Sequence, residues 1–332
     1  MLPVGKLPPQ LLAELLSTIP ADPRVILGPH PGEDAAVLDL PDRYLVAKTD
    51  PITFATDEIG WYAVQINAND IATTGGVPLW FMATVLLPSA TATAHLAQTI
   101  FNQITSACHA LNIALIGGHT EITHDLSRPI VVGCMLGEVS KDRMVRTGGA
   151  LPGDHIYLTK GAPIEATAIM AREKRDLLSA QFDSGMLNHC AEFLHTPGIS
   201  VVNDARLAMK AGGITSMHDP TEGGLVSALW EVAEASQTRL EVNLFGENRP
   251  WLPEAELLCR ALNLDPACAI ASGALLLTIK PERAPHLEDI FNQANISLFH
   301  LGNVASGDPD VWDQQHGRLI RPSRDEIARL FD

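Results

Sequence analysis

The chain has 332 residues, 46% of them hydrophobic, with 39 acidic against 23 basic side chains and a formal charge of −16. That length carries a prior of about two domains, and the apolar content is that of a globular protein able to bury real cores rather than a disordered chain. An acidic surplus without any lysine or arginine cluster argues against a nucleic-acid partner or an acidic membrane surface.

The five cysteines, Cys108, Cys134, Cys190, Cys259 and Cys268, show no C-x-x-C spacing and are odd in number. They are expected to be reduced and mostly buried, forming neither a zinc site nor a disulfide framework, in a reducing compartment. The opening Met1-Leu-Pro-Val-Gly-Lys6 lacks the charged and apolar regions of a signal peptide. The longest apolar run, 77–87, falls short of the roughly 18 residues a membrane span needs. A cytoplasmic protein without a membrane segment is the expectation.

In chain order, residues 8–18 read as a short amphipathic helix, and Val25-Ile-Leu27 leads into a turn fixed by Pro29, Pro31 and Gly32. Glu33 and Asp34 stand just before Ala35-Ala36-Val37, where a strand is expected to begin. A second strand over 44–49 ends on Asp50-Pro51, so two strands are expected to terminate in acid-bearing turns. Residues 61–74 read as a helix, with Val64, Ala68, Ile71 and Ala72 on one face and Gly75-Gly76 as its stop. Asp70 is the misfit. Its helical neighbours are Ala63, Ile66 and Asn67, so a carboxylate falls among small, apolar and amide side chains and needs donors or a cation. It either caps a neighbouring loop or serves a site.

A buried strand over 79–87 and a long helix over 91–111 follow. The next strand, 113–116, runs into Gly117-Gly118-His119-Thr120-Glu121, where two glycines let a ligand come close to the backbone. His119 reads either as a backbone-bonded turn histidine or as a catalytic one. Another strand covers 129–138. The runs 77–87 and 130–136 alternate too little for a sheet with one wet face, so both faces are expected to be covered. The composition break over 146–154 sets a domain boundary, giving 1–150 and 151–332.

In the second half, a strand over 155–159 enters Lys160-Gly161-Ala162-Pro163, a turn opening a helix. That makes it a candidate phosphate contact, because helix N-termini favour anions. A helix over 200–211 stops at Gly212-Gly213, and a strand over 214–217 ends at His218-Asp219-Pro220-Thr221-Glu222-Gly223-Gly224-Leu225. Asp219, Pro220 and Glu222 form a capping arrangement ahead of a helix over 225–235. Capping does not explain the two glycines, each costing up to about 1 kcal/mol relative to alanine in a first helical turn; close approach of something to that backbone would. A strand over 275–279, a helix over 281–292 and a final strand over 296–304 complete an α/β (α+β) pattern in two domains.

Asp34, Asp50 and Asp70 each sit at or near the end of an element, and such hard carboxylate oxygens suit a magnesium ion carrying a nucleotide phosphate. No P-loop, Rossmann or kinase motif is present. The motifs Gly32-Glu-Asp-Ala-Ala-Val37, Lys48-Thr-Asp50-Pro51, Asn67-Ala-Asn-Asp70-Ile-Ala-Thr-Thr-Gly-Gly-Val-Pro78, Gly117-Gly-His-Thr120, Pro152-Gly-Asp154, Lys160-Gly161 and Asp219-Pro-Thr-Glu-Gly-Gly-Leu225 occur in this order. Together they resemble the AIR synthase (PurM) superfamily, nearest its HypE-like branch, over almost the whole chain.

The resemblance implies a two-domain PurM-like fold whose first domains pair in a homodimer to build a shared β-barrel. It implies ATP and Mg²⁺ near that interface, and phosphorylation of an amide- or thioamide-type oxygen that becomes a leaving group. Carried over by residue, Asp34, Asp50 and Asp70 would hold metal. Lys48, Asn67, Gly117, Gly118, Thr120, Lys160, Gly161, Thr221, Gly223 and Gly224 would contact the nucleotide or phosphate, and His119, Glu121 and Asp219 are the candidate catalytic residues. There are departures. Gly118-His119-Thr120-Glu121 stands where the family has Gly-Asp-Thr-Lys, and Ala271-Ser272-Gly273-Ala274 where it has Asn-Glu-Gly-Lys. Gly161-Ala-Pro163-Ile-Glu165-Ala-Thr-Ala168 stands where it has Gly-x-Gly-Ile-Glu-Gly-Thr-Ala. A lysine and a glutamate that would serve a dehydration are therefore missing, and no cysteine follows Cys268 where HypE ends on its carbamoyl-carrying thiol. The expectation is an AIR synthase-related, HypE-like ATP enzyme that does not convert a carbamoylated terminal cysteine to thiocyanate and whose acceptor the sequence does not name. A HypE acting in nickel-iron hydrogenase assembly, a relative acting on a small molecule, and a nucleotide-binding regulator without catalysis stand as alternatives.

Overall fold

The computed structural model describes residues 7, 9–28, 33–53 and 57–331. The turn expected at Pro29, Pro31 and Gly32 lies outside them. The chain forms two compact units of mixed α/β structure: residues 34–144 with the segment 20–28 make one, and 145–331 with helix α1 (Pro9–Leu16) make the other.

The first unit contains β1 (Val25–Leu27), β2 (Ala36–Asp39), β3 (Tyr44–Ile52), α2 (Ile59–Thr73), β4 (Val77–Pro88), α3 (Ala94–Ala110), β5 (Ala114–Thr123) and β6 (Ile130–Val139). Its six strands lie in the order β1-β2-β3-β6-β4-β5, with β4 and β5 parallel and the other pairs antiparallel. Helix α2 packs on β3 and β6 and against α3. It is buried almost all round, Ile59, Ala63, Val64, Ala68 and Ile71 being fully covered, so the one-sided apolar stripe read from its sequence understates its burial. The helix is apolar on most sides because sheet covers one flank and α3 another.

β3 departs from its expected end. It continues through Asp50 and Pro51, which pair with Gly133 and Val132 of β6, so Asp50 is a strand residue and not a turn residue. The reason is positional. β2 pairs only as far as Ala47, so beyond that point β3 has a neighbour on one side alone, and the missing N–H of Pro51 removes no ladder bond there.

Cross-strand register divides the functional candidates between the two faces of this sheet. Lys48 lies beside Met135 and Phe81, and Asp50 beside Gly133 and Ala83, on the face that α2 covers. One residue out of phase, Pro51, Val132, Thr84 and His119 line up across the other face, as do Ile130, Leu86 and Glu121. On that face Met82, Leu86, Ile130, Val132 and Leu136 stay partly exposed, and β5 at the sheet edge is exposed along nearly its whole length, including Leu115, Ile116 and Ile122.

The second unit holds β7 (His155–Thr159), α4 (Ile164–Glu173), α5 (Arg175–Leu178), α6 (Ser184–Ala191), α7 (Val202–Ala211), β8 (Ile214–His218), α8 (Gly224–Ser236), β9 (Arg239–Val242), α9 (Pro253–Leu262), β10 (Leu276–Ile279), α10 (Ala284–Gln293), β11 (Leu298–Ala305), β12 (Asp310–Asp313) and β13 (Gly317–Arg318). Its sheet runs β13-β12-β9-β11-β7-β10-β8. Leu225, Val226, Leu229 and Val232 of α8 pack on Ile156, Leu158, Leu240, Leu276 and Leu301. On the opposite face the Tyr157 hydroxyl donates to Glu288 of α10 at 2.6 Å. A second cluster joins α4, α6 and α9 through Met170, Leu187 and Leu258. β10 is antiparallel to both β7 and β8, with Leu276 opposite Leu158 on one side and His218 on the other. The ends of β7 and β8 therefore meet at one edge of the sheet, and that edge carries the loops described below.

The parallel pairing of β4 and β5 depends on Gly118, where a Cβ would collide with the backbone carbonyl of Ala83. Gly118→Ala should destabilise the first unit by about 2 to 4 kcal/mol, read as a lower urea midpoint. A midpoint equal to the parent's would show that the two strands are spaced more widely than this register requires.

Candidate functional site

In the first unit the candidates converge on Lys48. Its ammonium lies 3.1 Å from Asp70 of α2 and 3.2 Å from Asp50 of its own strand. Asp70 is 4% exposed, so it could not remain ionised among its helical neighbours without such a partner. Burial alone would lower the Lys48 pKa, but Asp70, Asp50 and Asp34 together hold it well above the usual lysine range. Three carboxylates thus act on one cation.

Asn67, one helical turn before Asp70, is fully buried. Its Oδ1 accepts from the Asp50 backbone N–H at 2.9 Å and its Nδ2 donates to the Ala63 carbonyl at 2.8 Å. The amide expected at the cofactor is therefore committed within the protein, where it fixes Asp50. Gly133 completes the arrangement, since a Cβ there would strike the Asn67 amide. The sequence reading passed over Gly133; the signal available was a glycine in the middle of an otherwise apolar strand.

His119, Thr120 and Glu121 are not part of this group. They lie on β5, separated from β3 by β6 and β4, or about 14 Å at strand spacing. His119 and Glu121 also project from the face opposite Lys48 and Asp50, paired with each other at 3.1 Å and both well exposed. Thr120 falls on the helix-covered side. There it joins Gly117, Gly118, Leu115, Ile116, Ala83, Phe101 and Ile104 around a groove of about 480 Å³, which His119 also borders.

In the second unit Thr221, Gly223 and Gly224 share one loop with Asp219, but that loop is not the expected cap. Helix α8 starts at Gly224, its N-cap is Gly223 in the left-handed region at φ 80°, and no side chain from the neighbouring sequence caps it. The two glycines answer to the protein's own packing. Gly224 has φ 64° and a Cβ there would lie 2.6 Å from the Ala269 carbonyl, while at Gly223 it would meet the Ser227 hydroxyl. What comes close to this backbone is Ala269 and Ser227. The Gly223 N–H donates instead to Asp325, 102 residues away, at 2.6 Å.

Just before the loop, buried His218 holds Glu231 of α8 at 2.9 Å, and Glu231 holds Arg321 at 3.1 Å. At the neighbouring strand end, Lys160 is committed to Asp204 at 3.2 Å and to the Ser200 carbonyl at 2.6 Å. Its ammonium thus anchors α7, and Gly161 packs 3.0 Å from the Pro250 carbonyl by the same Cβ measure. Glu165, in the first turn of α4, is 6% exposed and lies against the Ser272 hydroxyl, whose hydrogen bond only partly offsets its burial. Burial, with the like charges of Glu222, Asp325 and Asp219, pushes the Glu165 carboxyl up to about 8. Glu165 and Asp325 were not assigned roles from sequence. A buried acid in an apolar helix turn was the available hint for the first, whereas the second depends on a long-range contact.

Four of the five thiols offer no ready nucleophile. Burial pushes Cys108 and Cys190 up to about 11 and Cys259 and Cys268 up to about 12, and the Cys268 Sγ leans on Asp265 at 3.7 Å. Among the described residues no helix is long and apolar enough to cross a membrane.

Residues 32–139 match the N-terminal domain, and residues 152–312 the C-terminal domain, of AIR synthase related protein. The chain belongs to the AIR synthase related family. It is 30% identical to a selenide, water dikinase of Photobacterium profundum over 92% of this chain and 94% of that one. It is 28% identical to a carbamoyl dehydratase HypE of Rhizobium leguminosarum bv. viciae over 76% of this chain and 71% of the relative. The crystal structure of hydrogenase maturation protein HypE in complex with ATP has the same fold, with a TM-score of 0.71 at 21% identity and 90% of each chain covered. Within the AIR synthase related fold, the Lys48 group and the Asp219 loop each lie inside one of the two matched domains.

Glu165 gives a signed pH effect. Its pKa is raised from an ordinary 4.5 to about 8, so the folded protein keeps a proton that the unfolded chain releases. The stability from this group is complete below pH 4.5 and is lost as pH rises through about 8. Glu165→Gln should flatten that decline and be the more stable protein at pH 8 and above in urea titrations. Parallel stability profiles for the two proteins would place Glu165 in a better solvated environment.

Proposed function

We propose that the protein is an ATP- and Mg²⁺-dependent enzyme that phosphorylates an amide-type oxygen of an acceptor and works as a homodimer. Residues 1–150 hold ATP and metal, and residues 151–332 supply the loop that closes over phosphate or substrate. The observation that carries this reading is the buried Asp70 carboxylate, drawn with Asp50 onto Lys48 in a chain of the AIR synthase related family. A solved relative in complex with ATP supports the nucleotide.

The donor set is of the kind magnesium takes: Asp34, Asp50 and Asp70 offer hard oxygens, and all three bear on Lys48. Those three residues would hold the ion, which when bound supplies neutralisation of phosphate charge. Lys48 adds a second cation beside the phosphates, and Asn67 keeps Asp50 in place. Gly117, Gly118 and Thr120 line the groove on β5 as the nucleotide side. Within the second domain, Asp219, Thr221, Gly223 and Gly224 are the groups assigned to phosphate or acceptor, with Lys160 and Gly161 shaping the turn beside them.

The dimer reading rests on β5 and the open sheet face. An exposed edge strand bearing Leu115, Ile116 and Ile122, next to a half-exposed face of Met82, Leu86, Ile130 and Val132, is a surface that a second copy can cover by closing the sheets into a barrel. In that assembly His119 and Glu121 would enter the interface. The two relatives named above act on different acceptors, so the step assigned here is the phosphoryl transfer they can share. ATPase assays with candidate amide, carbamoyl and selenide acceptors then separate an enzyme from a nucleotide-binding regulator.

Asp70→Asn keeps size and removes charge, so it should weaken Mg-ATP binding by calorimetry about tenfold or more while the circular dichroism spectrum holds. Parental affinity in the folded variant would retire the metal assignment. Sedimentation at micromolar concentration should report twice the 35.7 kDa chain mass. A monomer under those conditions would remove the shared-barrel reading and with it the placement of His119 and Glu121.

A further inference from the structure

Residues 319–331 hold the Asp219–Gly224 loop directly and through the elements that flank it. On α8, beyond the loop, Arg321 holds Glu231 at 3.1 Å and Glu234 at 2.6 Å, and Glu231 in turn holds His218, the residue just before the loop, at 2.9 Å. Within the loop, the Asp325 carboxylate accepts the Gly223 N–H at 2.6 Å through one oxygen and the Ile327 N–H at 2.8 Å through the other. The segment is itself pinned. Leu319 accepts the Trp230 indole N–H at 3.1 Å, Glu326 accepts the Asp265 N–H at 3.2 Å, and Ile327, 6% exposed, packs into the cluster of Met170, Leu178 and Leu258.

Helix α8 needs this. Its first N–H groups lie behind two left-handed glycines, and its N-cap, Gly223, has no side chain to cap them. A carboxylate at a helix N-terminus is favoured by hydrogen bonding and by the helix dipole together. Glycines at φ 80° and 64° have wide conformational freedom once uncapped, so the loop's shape depends on a partner distant in sequence.

We propose that residues 319–331 are a strap that holds the Asp219–Gly224 loop in its ligand-facing shape, with Asp325 as the positioning residue acting through the Gly223 N–H and Arg321 as its counterpart acting through Glu231 and His218. This rests on the proposed function in one respect: the loop is taken to face phosphate or acceptor. Asp325 touches neither; it sets where the loop's own groups stand. Loss of the cap therefore weakens capture of the nucleotide more than it slows the chemistry.

The test is hydrogen exchange followed by mass spectrometry on the full chain without ligand, for the parent, Asp325→Ala, Asp325→Asn and Arg321→Ala. Asp325→Ala should speed exchange in peptides spanning 219–225 by about tenfold or more and leave the β7 and β10 peptides unchanged. Asp325→Asn keeps an acceptor oxygen and should recover most of the protection. In the ATPase assay Asp325→Ala should raise KM for ATP about tenfold with kcat within about threefold, again with recovery in Asp325→Asn. Unchanged exchange over 219–225, or a rise spread evenly over the unit, overturns the strap. If Asp325→Ala does not fold, Arg321→Ala and Asp325→Asn decide by the same peptides. A parent protein that neither binds nor hydrolyses ATP overturns the proposed function, while the exchange pattern still decides the strap.

Discussion

The first unit depends on one charge placed where charge is costly. Asp70 sits in the last turn of a helix buried nearly all round, and it is tolerated because Lys48 reaches it from the adjacent strand. Removing Lys48 takes the cation from the buried Asp70 carboxylate, a kind of loss typically worth about 3 to 5 kcal/mol, whereas removing Asp70 leaves Lys48 with Asp50 at 3.2 Å. A one-residue slip of β3 against β6 would turn Lys48 and Asp50 to the opposite face and leave Asp70 unpaired. Asn67 guards against that slip by holding the Asp50 backbone, and Gly133 gives Asn67 the room to do so. Helix burial, strand register and the charge group are therefore one constraint seen from three sides.

Asp70 was legible in the sequence because the evidence for it is local: helical spacing alone shows a carboxylate among Ala63, Ile66 and Asn67. Asp50 was placed in a turn because Pro51 follows it and proline usually ends a strand. What the sequence does not reveal is that β2 has already stopped at that point, so β3 loses nothing by carrying a proline. The position of His119 and Glu121 away from the Lys48 group was hidden for a different reason. Their shared face follows from alternation, but the face itself follows from strand order, and the order β3-β6-β4-β5 brings together segments far apart in the chain.

The Asp219 loop shows the same limit more sharply. Asp-Pro-x-Glu is a sound local cap, yet two glycines with positive φ delay the helix to Gly224 and pass the capping role to Asp325. A local rule was overridden by a tertiary contact that also buries Ile327 in the core, and a helix held by a distant carboxylate gains a second point of control that a self-capped helix lacks.

Both units carry a buried lysine paired with an aspartate on a helix, and the difference between the pairs explains why only one is read as a site. Lys160 faces the single carboxylate of Asp204, spends another donor on the Ser200 carbonyl, and has 9% of its side chain exposed. Burial lowers its pKa despite Asp204, as expected where one partner does not fully repay desolvation. Lys48 is buried too, but its side chain is 20% exposed and Asp70, Asp50 and Asp34 reverse the direction of the shift. Charge is balanced at Lys160, and an added ion there would meet no unmet demand. At Lys48 three carboxylates bear on one lysine that solvent can reach, and that is the arrangement the proposed metal assignment draws on.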